Sequence, residues 1–577
     1  MHYREFQTSP VNKLFCKNIL IISAPNISDS NLDFLKNEFR YWIILGEDYY
    51  LFSDDIIHEN ESSITVFTGY GISEGIFLKN KNYLQANFDQ EYIGNYLYIR
   101  FDKESEKIDI KSDFYTNAMK FAYQRQEILL LSNNLIQLLR IIKSLDGDFK
   151  YNFNNINFNL EIVIEVINSN NYFPYFNQFN IERSEIDGYE YIKPYFDLEV
   201  NSNKSLSYIP KEIITAHKTD VGTLEYYVNE SKKEMLNSYN VLSNEFFGYN
   251  FCSDLTAGAD SRCLLSLFLE FDIKEMNYQV TLKGKNSVAS IGMIDAFYFE
   301  FFVKQFDLEK VSLTRYIDGY YGREIYENLE KYFFERNPHQ YQGIANNLIY
   351  KNLFLFRGGY GEIFRNYLGF TTSEDLDSYF RRQVHSDVLY EEIKNFLRRN
   401  YAFLTDDLSE QHNLNYIFYR QRETVVYNKF KYPFYNLLQS KNLYMAKKYV
   451  DLKEDNYALL KSIYIDDLKK VNINDKNQIT TEVKVNEINI DELFELKENQ
   501  EVVSRGLSIN RHFNNDYFLQ KLIHDLSHVK DKFIENKQDT KPIQKVIESL
   551  KKNEQAMNSW RIKNIHYRIK LLKYILE

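Results

Sequence analysis

The chain has 577 residues, 44% hydrophobic and 26% charged, with only 8 Pro and 20 Gly, a balance that excludes a disordered or linker-dominated chain and calls for two or three domains. A formal net charge of -11 argues against broad, sequence-independent nucleic-acid binding, which depends on Lys and Arg neutralising phosphates. The 48 Tyr and 44 Phe, beside abundant Asn, Lys and Ile, fit a coding bias toward A and T, so most aromatic residues are read as core.

Cys16, Cys252 and Cys263 have no CxxC spacing, and no N-terminal segment has the charged-then-apolar pattern of a signal peptide. The longest apolar stretches fall short of a transmembrane segment: Ile128–Leu145 is cut by Ser132, Asn133, Asn134, Gln137 and Arg140. A cytoplasmic protein with reduced thiols is the expectation.

In chain order, the first ~200 residues read as mainly β. Asn18–Ala24, Tyr49–Phe52, Ile64–Phe67, Tyr96–Phe101 and Ile108–Ile110 are short runs rich in Ile, Tyr and Phe, separated by polar turns, which predicts stacked sheets. Phe158–Ile167 turns helical, and Tyr191–Val200 is extended again with Pro194 at an edge or turn. From about Thr215 the pattern changes. Leu224–Asn244 has helical spacing and leads into FCSDLTAGADSRCLLSLFLE, Phe251–Glu270, which reads as strand, small-residue loop and helix.

A second strand at Asn277–Leu282, a helix near Ile291–Phe306 and a third strand at Val311–Tyr316 predict βαβ units and a parallel sheet, with ligands at the carboxyl ends of the strands. The apolar run Leu348–Phe356 ends in a second glycine-bearing turn, Phe356–Arg365. The chain then reads as helical to about Leu468 with a break at Tyr432–Pro433, polar and linker-like over Lys469–Asn499, and helical over Tyr517–Phe533 and Ile543–Leu576. The stripe Ile562, Ile565, Ile569, Leu572 and Leu576 is amphipathic and is expected to pack on the preceding α/β domain.

The loop Thr256–Ser261 has the make-up of a phosphate cradle, because small residues let a ligand approach the backbone while the next helix aims free N–H groups and its positive dipole end at it. Alone, it also fits an ordinary strand-to-helix turn. His524 and His528 have the i, i+4 spacing of zinc ligands, but no third ligand or glutamate base accompanies them, so they read as exposed histidines. Cys252 and Cys263, flanking the loop, read as buried inert thiols.

LTAGADSR, Leu255–Arg262, resembles the pyrophosphate loop of the asparagine synthetase-like family, SGGxDS or TGGxDSR, and GGYGEIFR, Gly358–Arg365, resembles that family's carboxylate-bearing GxGGE or GxGxDE loop about a hundred residues later. Gly94–Lys143 resembles later parts of the family's N-terminal glutaminase domain, and Phe176–Val200 the segment joining it to the synthetase domain. The resemblance, shared with β-lactam synthetases, lasso peptide cyclases and polysaccharide-cluster members, implies a mixed α+β and α/β chain. Its parts would be a degenerate Ntn-hydrolase-like αββα sandwich (1–205), an α/β PP-loop ATP-binding synthetase domain with a parallel sheet (206–470), and a linker with C-terminal helices (471–577).

The implied chemistry is ATP-dependent activation of a carboxylate with release of pyrophosphate, then attack by an amine or ammonia. Leu255, Thr256, Gly258, Asp260, Ser261, Val280 and Gly359 would bind ATP, with adenine near Leu255 and Val280. Asp260 and Glu362 would hold Mg²⁺. Lys461 or Lys453 would be the catalytic lysine, and Tyr360 would help deprotonate the amine. His2 stands where the family's glutaminase has its N-terminal cysteine, so glutamine hydrolysis is expected to be absent. Ala257 replaces a usual glycine; at a position needing φ > 0 it would cost about 1 kcal/mol.

The expected substrate is a small molecule, peptide or sugar acid bearing a carboxylate, in peptide or metabolite cyclisation or surface-polysaccharide synthesis, with a homodimer or a partner biosynthetic protein as possible assemblies. Ala257 and His2 also motivate a competing class, a non-catalytic nucleotide-binding scaffold that keeps the fold, while acidity and the sandwich-like N-terminal half weigh against a third, a tRNA-modifying enzyme with a similar loop.

Overall fold

The chain is described by a computed structural model over residues 17–23, 27–79, 82, 88, 90–114, 121–145, 147, 149–168, 184–192, 195–212, 216, 221–283, 298–299, 301–308, 311–316, 353–365, 372–384, 386–415, 434–470, 515–553 and 559–577. His2, Cys16, Pro194 and the polar stretch 471–514 lie outside these residues.

The N-terminal strands are β1 (Ile19–Ser23), β2 (Tyr41–Leu45), β3 (Tyr49–Ser53), β4 (His58–Glu59), β5 (Ser63–Ser73), β6 (Ile76–Leu78), β7 (Ile93–Asp102), β8 (Lys107–Ser112), β9 (Phe121–Arg125), β10 (Ile128–Ser132), β11 (Tyr189–Tyr191), β12 (Phe196–Val200) and β13 (Leu206–Pro210). They form two antiparallel sheets, β11-β9-β10-β1-β3-β2 and β13-β12-β8-β7-β5-β4, with β6 paired to β5. The strand alternation explains the stacking. Ile19 and Ile21 of β1 face the other sheet and meet Val66, Leu97 and Ile99, whereas Leu20 and Ile22 point the other way, onto helices α1 (Asp29–Glu38) and α2 (Leu135–Leu145).

Ile128–Leu145, one apolar stretch in the sequence, divides into β10 and α2. The break falls at Asn133 and Asn134: Asn133 accepts from Ile19 N at 2.9 Å and donates to Lys17 O at 2.7 Å, while Asn134 Oδ1 accepts from Gln137 N at 3.1 Å in the first turn of α2. Tyr191–Val200 is likewise not one extended segment. β11 belongs to the first sheet and β12 to the second, so the chain changes sheets there.

Helix α3 (Phe153–Asn168) precedes this crossing, and α4 (Leu224–Glu245) follows β13. On the seven-stranded sheet, α4 packs at the β5–β6 hairpin: Gly75 N donates to Asn237 Oδ1 at 2.9 Å, Lys79 pairs with Glu245 at 2.8 Å, and Phe77 meets Phe246 edge-on, while Phe67, Tyr96 and Tyr98 of the same sheet pack against Phe88 and Tyr92.

After α4 the chain forms β14 (Asn250–Asp254), α5 (Ala259–Glu270), β15 (Asn277–Lys283), β16 (Val311–Tyr316), β17 (Leu353–Arg357), α6 (Ser373–Gln383), α7 (Asp387–Tyr401), β18 (Phe434–Asn436), α8 (Lys441–Ala446), α9 (Ala458–Ile463) and α10 (Asp466–Lys470). The five strands make one wholly parallel sheet ordered β16-β15-β14-β17-β18. β18 lies where the sequence reads as helical. Its three residues are too few to show alternation, and it is a strand because its backbone completes the ladder beside β17.

α11 (Asn515–Glu535), α12 (Lys541–Asn553) and α13 (Ser559–Leu576) close the chain. The apolar stripe of α13 is buried as its spacing predicts, but its seat differs from the expected α/β domain. It packs with α11 and α3, Leu571 and Ile575 reach the outer face of the six-stranded sheet, and Lys143 Nζ donates to Tyr574 O at 3.0 Å. Chain ends distant in sequence are thereby joined. The chain is a mixed α and β protein with two antiparallel sheets, a separate parallel sheet and helices. Among the described residues, no helix is long and apolar enough to cross a membrane.

A polar knot ties α11 to α13. Burial opposes ionisation of Asp525, yet hydrogen bonds with His566 Nε2 and Lys573 Nζ, each at 3.0 Å, hold its carboxyl down at about 2, below the ordinary 3.8. The folded value lies below the unfolded one, so the stabilisation of about 2 kcal/mol is present above roughly pH 4 and is lost as pH falls toward 2. Urea unfolding is expected to show this loss between about pH 4 and pH 2, and Asp525→Asn should flatten that part of the profile.

Candidate functional site

The strand order reverses beside β14. From β14 the chain adds β15 and β16 on one side, then returns to place β17 and β18 on the other. The crevice at the carboxyl ends of β14 and β17 is the switch point, where ligands of open α/β sheets bind. Both loops singled out in the sequence leave the sheet here. Ser253 is level with Phe356, so the turn after Asp254 and the turn after Arg357 emerge side by side.

The first loop is held by its own hydroxyls. Ser261 Oγ accepts from Thr256 N at 3.1 Å and lies 3.0 Å from Thr256 O and from Gly258 O, while Thr256 Oγ1 accepts from Gly258 N at 3.1 Å. Gly258 is the N-cap of α5, extended at φ -65° and ψ 145°, and no side chain caps this end. The first-turn amides have no acceptor within the helix, which leaves a positive helix terminus at the loop. α5 itself is fixed by the core: Cys263 Sγ donates to Leu460 O at 3.4 Å, and Tyr464 Oη donates to Ala259 O at 3.0 Å. Burial pushes both the Cys263 thiol and the Tyr464 hydroxyl well up, so both remain neutral donors. Cys252 and Cys263 are buried free thiols.

Ala257 is not among the residues with positive φ, and its side chain is buried. The methyl group at this position is therefore accommodated without backbone strain.

The second loop presses on the first. A Cβ on Gly358 would lie 2.8 Å from the carbonyl carbon and oxygen of Asp260, and a Cβ on Gly361 would lie 2.2 Å from Asp260 Oδ1. Gly359 is as tightly placed against the Asn436 side chain at the end of β18, 2.5 Å from its Oδ1. Tyr360 takes a left-handed conformation, φ 77°, that turns the chain into a 3-10 turn, Gly361–Phe364. Its ring is fully buried. Glu362 lies in this turn, one residue past the contact with Asp260; its side chain is outside the described residues.

Three arginines gather at this edge. Arg365 Nη2 donates to Asp260 Oδ2 at 3.1 Å, Arg357 Nε donates to Asp254 Oδ2 at 3.0 Å, and the Arg262 guanidinium lies 5.3 Å from the Tyr464 ring centre. From the sequence, Asp254, Arg357 and Asn436 have no assigned role, and Asp260 has no partner in the second loop other than Mg²⁺ shared with Glu362. No local signal reports a partner 105 residues away.

The other expected site residues fall into two groups. Leu255 is fully buried just past β14, and Val280, whose side chain lies outside the described residues, follows the Asp254–Gln279 register pair on the neighbouring strand. Lys461 and Lys453 are half-exposed and bonded to other carboxylates, Lys461 to Asp455 at 2.8 Å and Lys453 to Asp407 at 3.2 Å. Lys461 does sit on α9, whose Leu460 carbonyl touches α5. Among the described residues no His, Cys, Asp or Glu cluster is arranged to hold a metal. His528 Nδ1 lies 3.0 Å from the His524 carbonyl; His524 is exposed and His528 half-buried.

Two substitutions test this geometry. Ala257→Gly is expected to lower stability by about 0.4–1 kcal/mol in urea unfolding, because it adds unfolded-state entropy and relieves no strain. Gly358→Ala is expected to cost about 1–3 kcal/mol, because its methyl group meets main chain rather than a yielding side chain. No protein-family profile and no curated protein matches the chain.

Proposed function

We propose that the chain is an ATP-dependent ligase of asparagine synthetase-like type, which activates a substrate carboxylate with release of pyrophosphate and joins it to an amine or ammonia. The observation that carries this reading is the meeting of the two glycine-bearing loops at the switch point between β14 and β17, with Gly358 and Gly361 against Asp260. The strand order and the sandwich-like N-terminal half are compatible with a PP-loop synthetase domain behind a degenerate glutaminase-like domain.

The chain's own groups would share the work. The loop backbone and the first turn of α5 receive phosphate oxygens, and Thr256 and Ser261 turn their hydroxyls from each other toward that ligand. Arg262 and Arg365 add fixed positive charge. Asp260 and Glu362 are oxygen donors of the kind Mg²⁺ takes, and the ion, when bound, neutralises phosphate charge. Buried Tyr360 shapes the second loop, and Lys461 is the better placed of the two lysines to move onto the reacting centre. The acid and amine belong to small-molecule, peptide or sugar-acid substrates.

The Asp260–Arg365 pair favours a second reading, a scaffold that retains the fold without chemistry. Exchange of labelled pyrophosphate into ATP separates the two. The ligase shows exchange that depends on a carboxylic acid, and Asp260→Ala lowers it at least a hundredfold, on the scale of losing a preorganised electrostatic group. Absence of exchange with every candidate acid would reject the ligase.

A further inference from the structure

The carboxylate assigned to a metal is already engaged. Asp260 Oδ2 accepts from Arg365 Nη2 at 3.1 Å, and Oδ1 lies against Gly361. The two side chains are 21% and 16% exposed, removed from most of the solvent yet reachable from it. The pair joins the first turn of α5 to the end of the 3-10 turn after β17, so it spans the crevice through which a phosphate would reach the loop. A metal ion approaching Oδ2 competes with the guanidinium for that oxygen and meets its positive charge. Without Arg365, the Asp260 carboxylate would repel a phosphate arriving at the same helix end.

We propose that Arg365 is an exchangeable ligand: it neutralises Asp260 in the empty site, and on arrival of a metal-bound nucleotide it gives Asp260 up to the metal and moves to the phosphate oxygens. This rests on the reading of the loop as a nucleotide site. The chemistry of the side chains fits such an exchange. Guanidinium offers five N–H donors in a planar fork suited equally to carboxylate and phosphate, and it keeps its charge throughout. Gly361 makes the exchange possible sterically, since any side chain there would displace the Asp260 carboxylate. Tyr457, whose ring centre lies 5.9 Å from the guanidinium carbon, gives the moving group an aromatic ring to rest over.

The test uses the full chain as wild type, Arg365→Gln and Arg365→Lys, with thermal melting to establish folding. Mn²⁺ alone is titrated by electron paramagnetic resonance, and α,β-methylene-ATP with Mg²⁺ by calorimetry. Exchange predicts opposite shifts in Arg365→Gln: Mn²⁺ binds about tenfold tighter because Asp260 is released, and the nucleotide about tenfold weaker because a charged phosphate ligand is lost. Arg365→Lys keeps the wild-type Mn²⁺ affinity and recovers part of the nucleotide affinity. If Arg365→Gln does not fold, Arg365→Lys decides by itself, since wild-type nucleotide affinity in that variant would overturn the exchange. Loss of both affinities, or change in neither, would make the pair a structural clasp and overturn the proposal. Failure of the wild type to bind the analogue would overturn the nucleotide reading, and the exchange with it.

Discussion

The parallel ladder between β14 and β17 is the constraint on which the candidate site depends. Neither strand is adjacent to the other in sequence, and each ends in a loop with little side-chain bulk. Pairing Ser253 with Phe356 puts those loops in contact, because parallel strands in register deliver their following turns to the same edge. Everything distinctive about the edge follows: glycines where Asp260 must be approached, a buried tyrosine in a left-handed turn, and an arginine that closes onto the opposing carboxylate. A shift of one residue in this register would separate Asp260 from Gly361 and turn β17 over.

The N-terminal half supports that edge. Its two antiparallel sheets bury each other's inner faces, and the β5–β6 hairpin of the second sheet is bonded to α4, the helix that leads into β14. Gln439 Nε2 donates to Gly94 O at 3.0 Å, and Lys441 Nζ donates to Glu91 O at 2.8 Å, so the segment after β18 is also held by the sandwich. Buried Lys211 meets Asp197 and the Ser112 carbonyl at the end of the same sheet, so a charge deep in this half is matched by an acceptor on each side. The N-terminal half thus has a physical use as a platform for the α/β half.

Charge at the edge has a simple logic. A helix N-terminus attracts anions, and Asp260 in its first turn already satisfies part of that demand. Among the groups gathered here the basic Arg262, Arg357 and Arg365 outnumber the acidic Asp254 and Asp260, and two of the arginines are tied to those carboxylates.

Local pattern in the sequence determined the parts. The 3.6-residue spacing of Leu224–Asn244 appears as α4, the aromatic and β-branched runs appear as strands, and the small-residue turns at Thr256–Ser261 and Gly358–Gly361 both end strands, because each depends on neighbours within a few residues. Tertiary structure alone decided the strand Phe434–Asn436, the seat of the last helix on the N-terminal half, and the Asp260–Arg365 pair. The reason is common to all three. A three-residue strand, an ion pair spanning 105 residues and a helix docked by its stripe are specified by groups from distant parts of the chain, whose approach leaves no periodic mark on either segment.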